Sequence, residues 1–157
     1  MNNNYLELFK KISFYEKFIA ILNDHNDFDN SLDVPDLNIL SNIINELGYK
    51  NRTNKKDKQI IILNNKKNTG LVSLMILFDF GKVNFHAQWH SHSINDKQYN
   101  MGSSFSFACN KLLGVSRGTR SPVFSDYEEA KEILVKLFDL YEEIVEAILE
   151  FEENCTI

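Results

Sequence analysis

Three histidines at even-numbered positions of one segment are the residues of this chain best placed to do chemistry. They are His86, His90 and His92, with Gln88 among them. On an unbroken β-strand these even-numbered residues share one face, and three histidines with a water form a known catalytic zinc site. However, His86 and His90 would lie about 13 Å apart at ~3.3 Å per residue. We therefore predict a polar, partner-facing strand surface and no bound metal.

Other candidate nucleophiles or ligand loops are weaker still. Cys109 alternates in phase with Phe105 and Phe107, which predicts a small buried residue on a strand rather than a nucleophile. Cys155 follows two acidic residues, which would raise the pKa of its thiol. The segment 114–121 has two glycines and two arginines, but it lacks the ending of a phosphate-binding loop. We predict no catalytic residue and no cofactor.

Carboxylates are concentrated in the last fifth of the chain. Residues 126–153 contain eleven acidic and two basic side chains, a net charge of −9, whereas the whole chain carries −5. Like charges packed together disfavour the compact state unless solvent or a partner screens them. We therefore predict an exposed acidic surface that can dock a basic protein. The same charge argues against direct binding to nucleic acid, although residues 50–67 are basic.

Helical spacing positions this charge on the last of three predicted helices. Ser125 and Glu128 match a capping box that would begin the acidic helix. Apolar residues from Ala130 to Ile148 recur at helical spacing and predict a buried side. The opposite, polar side carries Glu132, Asp139, Glu142, Glu143, Glu146, Glu150 and Glu153.

Two further helices are predicted before residue 50. Apolar residues spread around the helical wheel from Asn4 to Asn23, which predicts one helix packed on more than one side. The next helix would begin at Asp33 or its neighbour, with Pro35 in its first turn. Gly48 would end it in the left-handed conformation.

The middle of the chain predicts an antiparallel sheet. Residues 71–80 form a continuous apolar run that is typical of a central strand buried on both faces. A tight turn at 79–82 leads into residues 83–90, which alternate between one dry face and one polar face. With shorter strands at 60–63 and 105–109, the pattern predicts a three- to four-stranded meander. The fold class is α+β, with two N-terminal helices and a long acidic C-terminal helix packed on the sheet.

Length and composition are typical of one soluble domain spanning 1–157. The chain is 43% hydrophobic and 25% charged, within the normal range for folded proteins. Two cysteines are too few for a disulfide scaffold and suit a reducing compartment. The N-terminus has no basic start or apolar signal core, and no apolar run approaches the ~18 residues of a membrane span. We expect a cytoplasmic protein that does not bind a membrane.

Three features of the chain occur together. Its make-up is rich in Asn, Lys and Ile (residues 2–4, 51–58 and 64–68), a strand pair covers 71–92, and an acidic helix covers 126–153. In size, charge and general style the whole chain resembles the immunity proteins of bacterial contact-dependent growth inhibition and related polymorphic toxin systems. This resemblance implies a cytoplasmic antidote that binds the toxin domain of its own system, often a DNase or RNase, and blocks it without catalysis.

We therefore predict a non-catalytic immunity protein for a nuclease toxin. The predicted toxin-binding residues lie on the last helix and on the polar strand face: Asp139, Glu142, Glu143, Glu146, Glu150, His86, Gln88 and His90. Two alternatives stay open. One is a type III-like secretion chaperone, and the other is a small metal-dependent enzyme that uses the His86, His90 and His92 face.

Overall fold

Five α-helices and a five-stranded antiparallel sheet make up the computed structural model, which describes residues 3–63, 71–90 and 101–155. The helices are α1 (Asn3–Lys11), α2 (Phe14–Asp24), α3 (Leu37–Glu46), α4 (Phe105–Leu112) and α5 (Tyr127–Cys155), with a short 3-10 helix at Phe28–Asn30. The strands are β1 (Asn51–Asn54), β2 (Gln59–Ile62), β3 (Leu71–Asp79), β4 (Lys82–His90) and β5 (Met101–Ser104). The predicted α+β class is confirmed.

The sheet is a simple meander in which each strand pairs with the next one in the chain. The turn from β3 to β4 consists of Phe80 and Gly81, whose φ angles are both positive, 50° and 69°. This is the geometry of the tight type I′ turn that matches strand twist. Gly81 is also sterically required, because a Cβ there would lie 2.8 Å from the backbone nitrogen of Leu32.

The helices that the structure describes cover one face of the sheet. On that inner face the side chains of Leu74, Ile76 and Phe78 in β3 are buried with those of the helices. The outer-facing residues of the same strand, such as Met75 and Leu77, are only half-buried. Burial therefore alternates along β3, and the prediction of a strand buried on both faces is wrong.

The N-terminal helical region is divided where one continuous helix was predicted. Ser13 adopts a left-handed conformation with φ 53°, which ends α1 and lets α2 start in a new direction. The broad spread of apolar residues thus reflects two amphipathic helices. The cap of α3 is also one turn later than predicted, since the side chain of Asp36 accepts from Asn38 N at 2.8 Å. Gly48 has the expected positive φ, 92°.

The segment Phe105–Cys109 is helical, so its assignment to a strand is wrong. It lies in α4, where the Ser104 side chain caps the helix by accepting from Phe107 N at 3.2 Å. Phe107 is 42% exposed, whereas Phe105 and Cys109 are buried four residues apart on one helix face. The sheet instead gains two strands that were not predicted, the polar β1 and the short β5.

The long acidic helix α5 is present with 29 residues. Its cap is one residue later than predicted, since Asp126 Oδ1 accepts from Glu129 N at 2.8 Å, and Glu129 in turn accepts from the backbone and hydroxyl of Ser125. None of the described helices is both long and apolar enough to cross a membrane.

A short connector, residues 122–124, joins parts of the fold that are distant in sequence. Val123 N donates to His25 O at 3.0 Å, and Leu32 N donates to Phe124 O at 2.9 Å. Phe124 N donates to Gly81 O at 2.9 Å. The connector therefore links the end of α2 and the following loop to the β3–β4 turn.

Candidate protein-binding surface

Helix α5 lies against the inner face of the sheet, with α1 and α2 on one side and α3 on the other. Its apolar side is buried, including Leu137, Tyr141 and Ile144. Phe138 packs edge-on against Phe85 of β4, with ring centroids 5.1 Å apart. This packing turns the predicted polar side of the helix away from the sheet.

On the side of α1 and α2, lysines from those helices neutralise the carboxylates of α5. Lys17 forms an ion pair with Glu143, and Lys11 Nζ lies 2.7 Å from Glu150 Oε2. The two predicted binding residues Glu143 and Glu150 are therefore engaged within the molecule. A partner would therefore meet these two carboxylates already paired with lysines.

On the side of α3, a tyrosine hydrogen-bonds a carboxylate of α5 without neutralising its charge. Tyr49 Oη donates to Glu142 Oε1 at 2.9 Å, and its ring stacks on Phe138 with centroids 3.9 Å apart. Burial and the bond to Glu142 raise the pKa of Tyr49 above its ordinary value of 10.0. The phenol thus keeps its proton and remains a donor to Glu142. The predicted binding residue Glu142 is also held from within the fold.

Two carboxylates of α5 are structural. Glu152 is 1% exposed, and its Oε1 accepts from Trp89 Nε1 at 3.0 Å. Glu129 Oε1 lies 3.0 Å from the Nδ1 of buried His25. Burial alone would raise the pKa of Glu129, but hydrogen bonds from His25 and Ser125 outweigh it and lower the pKa below its ordinary value.

The remaining carboxylates of α5 form a single solvent-facing row. At 100° per residue they fall within about 60° of the helix circumference, and we call them the central row: Glu128, Glu132, Asp139, Glu146 and Glu153. All five are exposed, and none has an ion pair with any residue that the structure describes. Two predicted binding residues, Asp139 and Glu146, belong to this row.

The central row is regularly spaced. Its last four members recur every seven residues, or about 10.5 Å at 1.5 Å per residue. Val135 is the one large apolar side chain of α5 that is exposed among the described residues, and it lies between Glu132 and Asp139. The row therefore combines unneutralised charge with a small apolar contact near its middle.

The polar strand residues lie on the opposite side of the molecule. In β4, Phe85 faces α5, so the neighbouring His86 and the exposed Gln88 face away from it, on the outer face of the sheet. The structure does not bring them together with the central row. The eight predicted binding residues therefore do not form one surface.

The histidine site is only partly described. His86 pairs with Met75 and Ser104 across the sheet, and burial lowers the pKa of its imidazole. His90 is the last residue of β4, but its side chain and the whole of His92 lie outside the described residues. Within the described ranges, no group of three His, Cys, Asp or Glu residues could hold a metal ion.

The other two segments considered for chemistry have structural contacts. Burial, with a smaller contribution from Glu16, raises the pKa of the Cys109 thiol to about 12, so it is protonated near neutral pH. In the segment 114–121, Thr119 N donates to Asn110 Oδ1 at 2.9 Å, and Arg120 lies 4.8 Å from the centroid of the Phe28 ring. These contacts hold the loop against the fold.

Comparison with known proteins adds no relative. No protein-family model, no curated protein and no solved structure matches this chain.

Proposed function

We propose that this protein is a non-catalytic, cytoplasmic inhibitor of the immunity-protein type, which binds and neutralises a basic toxin domain through the central row. One observation carries the proposal: lysines of α1 and α2 pair with Glu143 and Glu150, and Tyr49 hydrogen-bonds Glu142, but the five carboxylates of the central row have no ion pair within the described structure. Charges that the fold does not use are available to a partner.

The electrostatics of the row favour a protein partner over imitation of a nucleic acid. From Glu128 to Glu153 the helix rises about 38 Å, which gives roughly one unpaired carboxylate per 8 Å. Double-stranded DNA carries one negative charge per ~1.7 Å of its axis. The row is almost five times sparser, so it suits discrete contacts with lysine or arginine side chains rather than a phosphate-binding groove.

Such a row would act mainly on the rate and specificity of association. Complementary charges steer diffusional encounter and penalise wrong partners, and this effect falls as salt screens the charges. Val135 would add an apolar contact close to Asp139. We place the toxin contact on the central row alone, because His86 and Gln88 lie on the other side of the sheet and a flat partner could not reach both.

The test uses the toxin domain encoded next to this gene and a pair of matched double variants. Asp139→Asn with Glu146→Gln removes two charges from the central row, whereas Glu143→Gln with Glu150→Gln removes two that are already paired with lysines. We expect the first variant to slow association at least about tenfold at ~0.05 M salt and the second to change it much less. The difference should shrink at ~0.5 M salt.

Two results would reject this function. If the toxin domain binds both double variants equally fast, the central row is not the docking surface. If the purified protein instead contains stoichiometric zinc that is lost in His90→Ala, the enzyme alternative replaces the inhibitor.

A further inference from the structure

An open cleft lies at the end of the sheet, away from the central row. Its volume is about 440 Å³, and it is formed by the start of α3, the β1–β2 turn and β3. Its apolar lining includes Val34, Leu37 and Phe78, of which Val34 is 85% exposed. The size falls within the ~300–1,000 Å³ typical of binding clefts, and the apolar lining suits an inserted apolar side chain.

An exposed aromatic side chain lies beside this cleft. Phe80 is 54% exposed at the tip of the β3–β4 turn, and its ring centroid is 5.2 Å from the ammonium of Lys58, which lines the cleft. Phe80 is thus an apolar projection next to an apolar hollow.

The backbone at Phe80 makes this projection unusual. With φ 50°, it occupies a left-handed position at which type I′ turns prefer Asn, Asp or Gly. A bulky residue there is strained, and such strain is concentrated at functional positions. A large aromatic side chain that gains little from burial in its own fold is suited to burial in another molecule.

The charges around the cleft are balanced, unlike those of the whole protein. Two aspartates and two lysines line it, so its net charge is zero, whereas the chain carries −5. Lys58 is paired with Asp79, and Asp36 caps α3. Asp33 and Lys55 have no ion pair among the described residues. Two copies of this acidic protein would therefore not present net like charge to each other at this patch.

We infer that a second copy of this chain occupies the cleft, in a two-fold symmetric dimer. A two-fold axis places the same patch on both sides, so each contact is made twice. Phe80 of one copy inserts into the cleft of the other, and Asp33 of each copy faces Lys55 of the other. Phe80 lies beside the cleft, and the cleft carries one carboxylate and one ammonium without an ion pair in the part of the chain that the structure describes. A patch with these features is complementary to a second copy of itself. This inference does not depend on the proposed function.

An inserted phenylalanine buries about 150–250 Å², so the contact is small compared with stable interfaces, which bury about 800 Å² per partner. We therefore expect a reversible dimer with a dissociation constant on the order of 0.1 mM. Sedimentation equilibrium of the full chain from about 5 µM to about 1 mM should show monomers converting to dimers. A single monomer mass throughout would overturn the inference, and so would open-ended growth, which indicates a contact without two-fold closure.

Phe80→Asn separates association from folding. Asparagine is preferred in this turn, so the variant should unfold at the same or a higher denaturant concentration than the wild type. It should nevertheless dimerise at least about tenfold more weakly, because the aromatic anchor is lost. An unchanged dissociation constant in this stable variant would reject the role of Phe80.

A charge exchange tests the symmetry. Asp33→Lys and Lys55→Glu should each weaken the dimer, because each places like charges opposite one another twice. The double variant restores opposite charges and should recover most of the wild-type association. If the double variant is as weak as either single variant, Asp33 and Lys55 do not face each other.

Discussion

The carboxylates of α5 belong to two regions that the fold treats differently. Glu129 and Glu152 are bound to His25 and Trp89, whereas Asp139 and its neighbours in the central row face solvent. Both regions consist of carboxylate side chains, and both lie on the same helix. The difference arises from what other elements place opposite each side chain, so a count of charges on a helix does not describe the surface that a partner meets.

The largest effect should follow from removal of the most buried carboxylate. Glu152→Ala leaves the indole N–H of fully buried Trp89 without its acceptor, so we expect the free energy of unfolding to fall by about 1–3 kcal/mol. Urea denaturation measures this change. The adjacent, exposed Glu153→Ala is the matched control and should stay within about 0.5 kcal/mol of the wild type. Equal stability of the two variants would contradict the structural role of Glu152.

An intermediate effect is expected for Glu129, and it depends on pH. Because the pKa of Glu129 is lowered in the folded state, the unfolded chain binds its proton first as pH falls. The stabilisation is therefore complete above the ordinary value of 4.5 and is lost as pH falls below it toward the lower folded pKa. Glu129→Gln should lose about 0.5–1.5 kcal/mol at pH 7, because the amide keeps an acceptor oxygen but loses the charge, and it should show a shallower decline below pH 4.5.

Urea denaturation at several pH values checks this prediction. Glu128→Gln makes the same charge change one residue earlier, on the exposed central row. If the stability of Glu129→Gln follows that of Glu128→Gln at every pH, the bonds to His25 and Ser125 do not stabilise the fold.

The smallest effects should have opposite signs. Lys17→Gln removes the partner of Glu143 and should lower the free energy of unfolding by about 0.2–1 kcal/mol, the usual range for exposed ion pairs. Asp139→Asn should raise it by about 0.2–0.5 kcal/mol, because Asp139 and Glu142 are like charges three residues apart on one helix. Thermal unfolding at low salt resolves both changes, and high salt should diminish them. If both variants change the free energy of unfolding in the same direction, the paired and the unpaired carboxylates of α5 do not differ in their effect on stability.

Sequence reasoning succeeded where a local pattern was sufficient. The length of α5, the turn at Phe80 and Gly81, and the left-handed Gly48 all follow from short-range spacing. It failed where two local patterns competed. Both Ser125 and Asp126 can cap α5 with a glutamate three residues later, and His25 stabilises the second choice by binding Glu129.

The strand assignment at Phe105–Cys109 failed for a similar reason. Alternating apolar residues fit a strand, but Phe105 and Cys109 are also four apart, and Ser104 is a good helix cap. Strand β1 consists of polar residues only, so no apolar alternation indicates a strand there. It is a strand because its backbone pairs with β2.

The sequence located the candidate surface on α5, but it could not show which of its carboxylates are paired within the fold. Its acidic composition was visible, and Asp139 and Glu146 are exposed as predicted. The partners Lys11, Lys17 and Tyr49 lie about a hundred residues or more from the carboxylates they bind, and no sequence pattern links them. The separation of His86 from the central row likewise depends on which face of the sheet α5 covers.

The connector at residues 122–124 constrains how the protein is made. His25 and Leu32 receive their backbone partners from residues about ninety to a hundred positions later. At ~5–20 residues per second, the ribosome needs about 5–20 s to add that stretch. During this interval α2 exposes Phe14 and Phe18, which the finished protein buries completely. The nascent N-terminal helices therefore carry apolar side chains that are not fully buried until the last third of the chain has been synthesised.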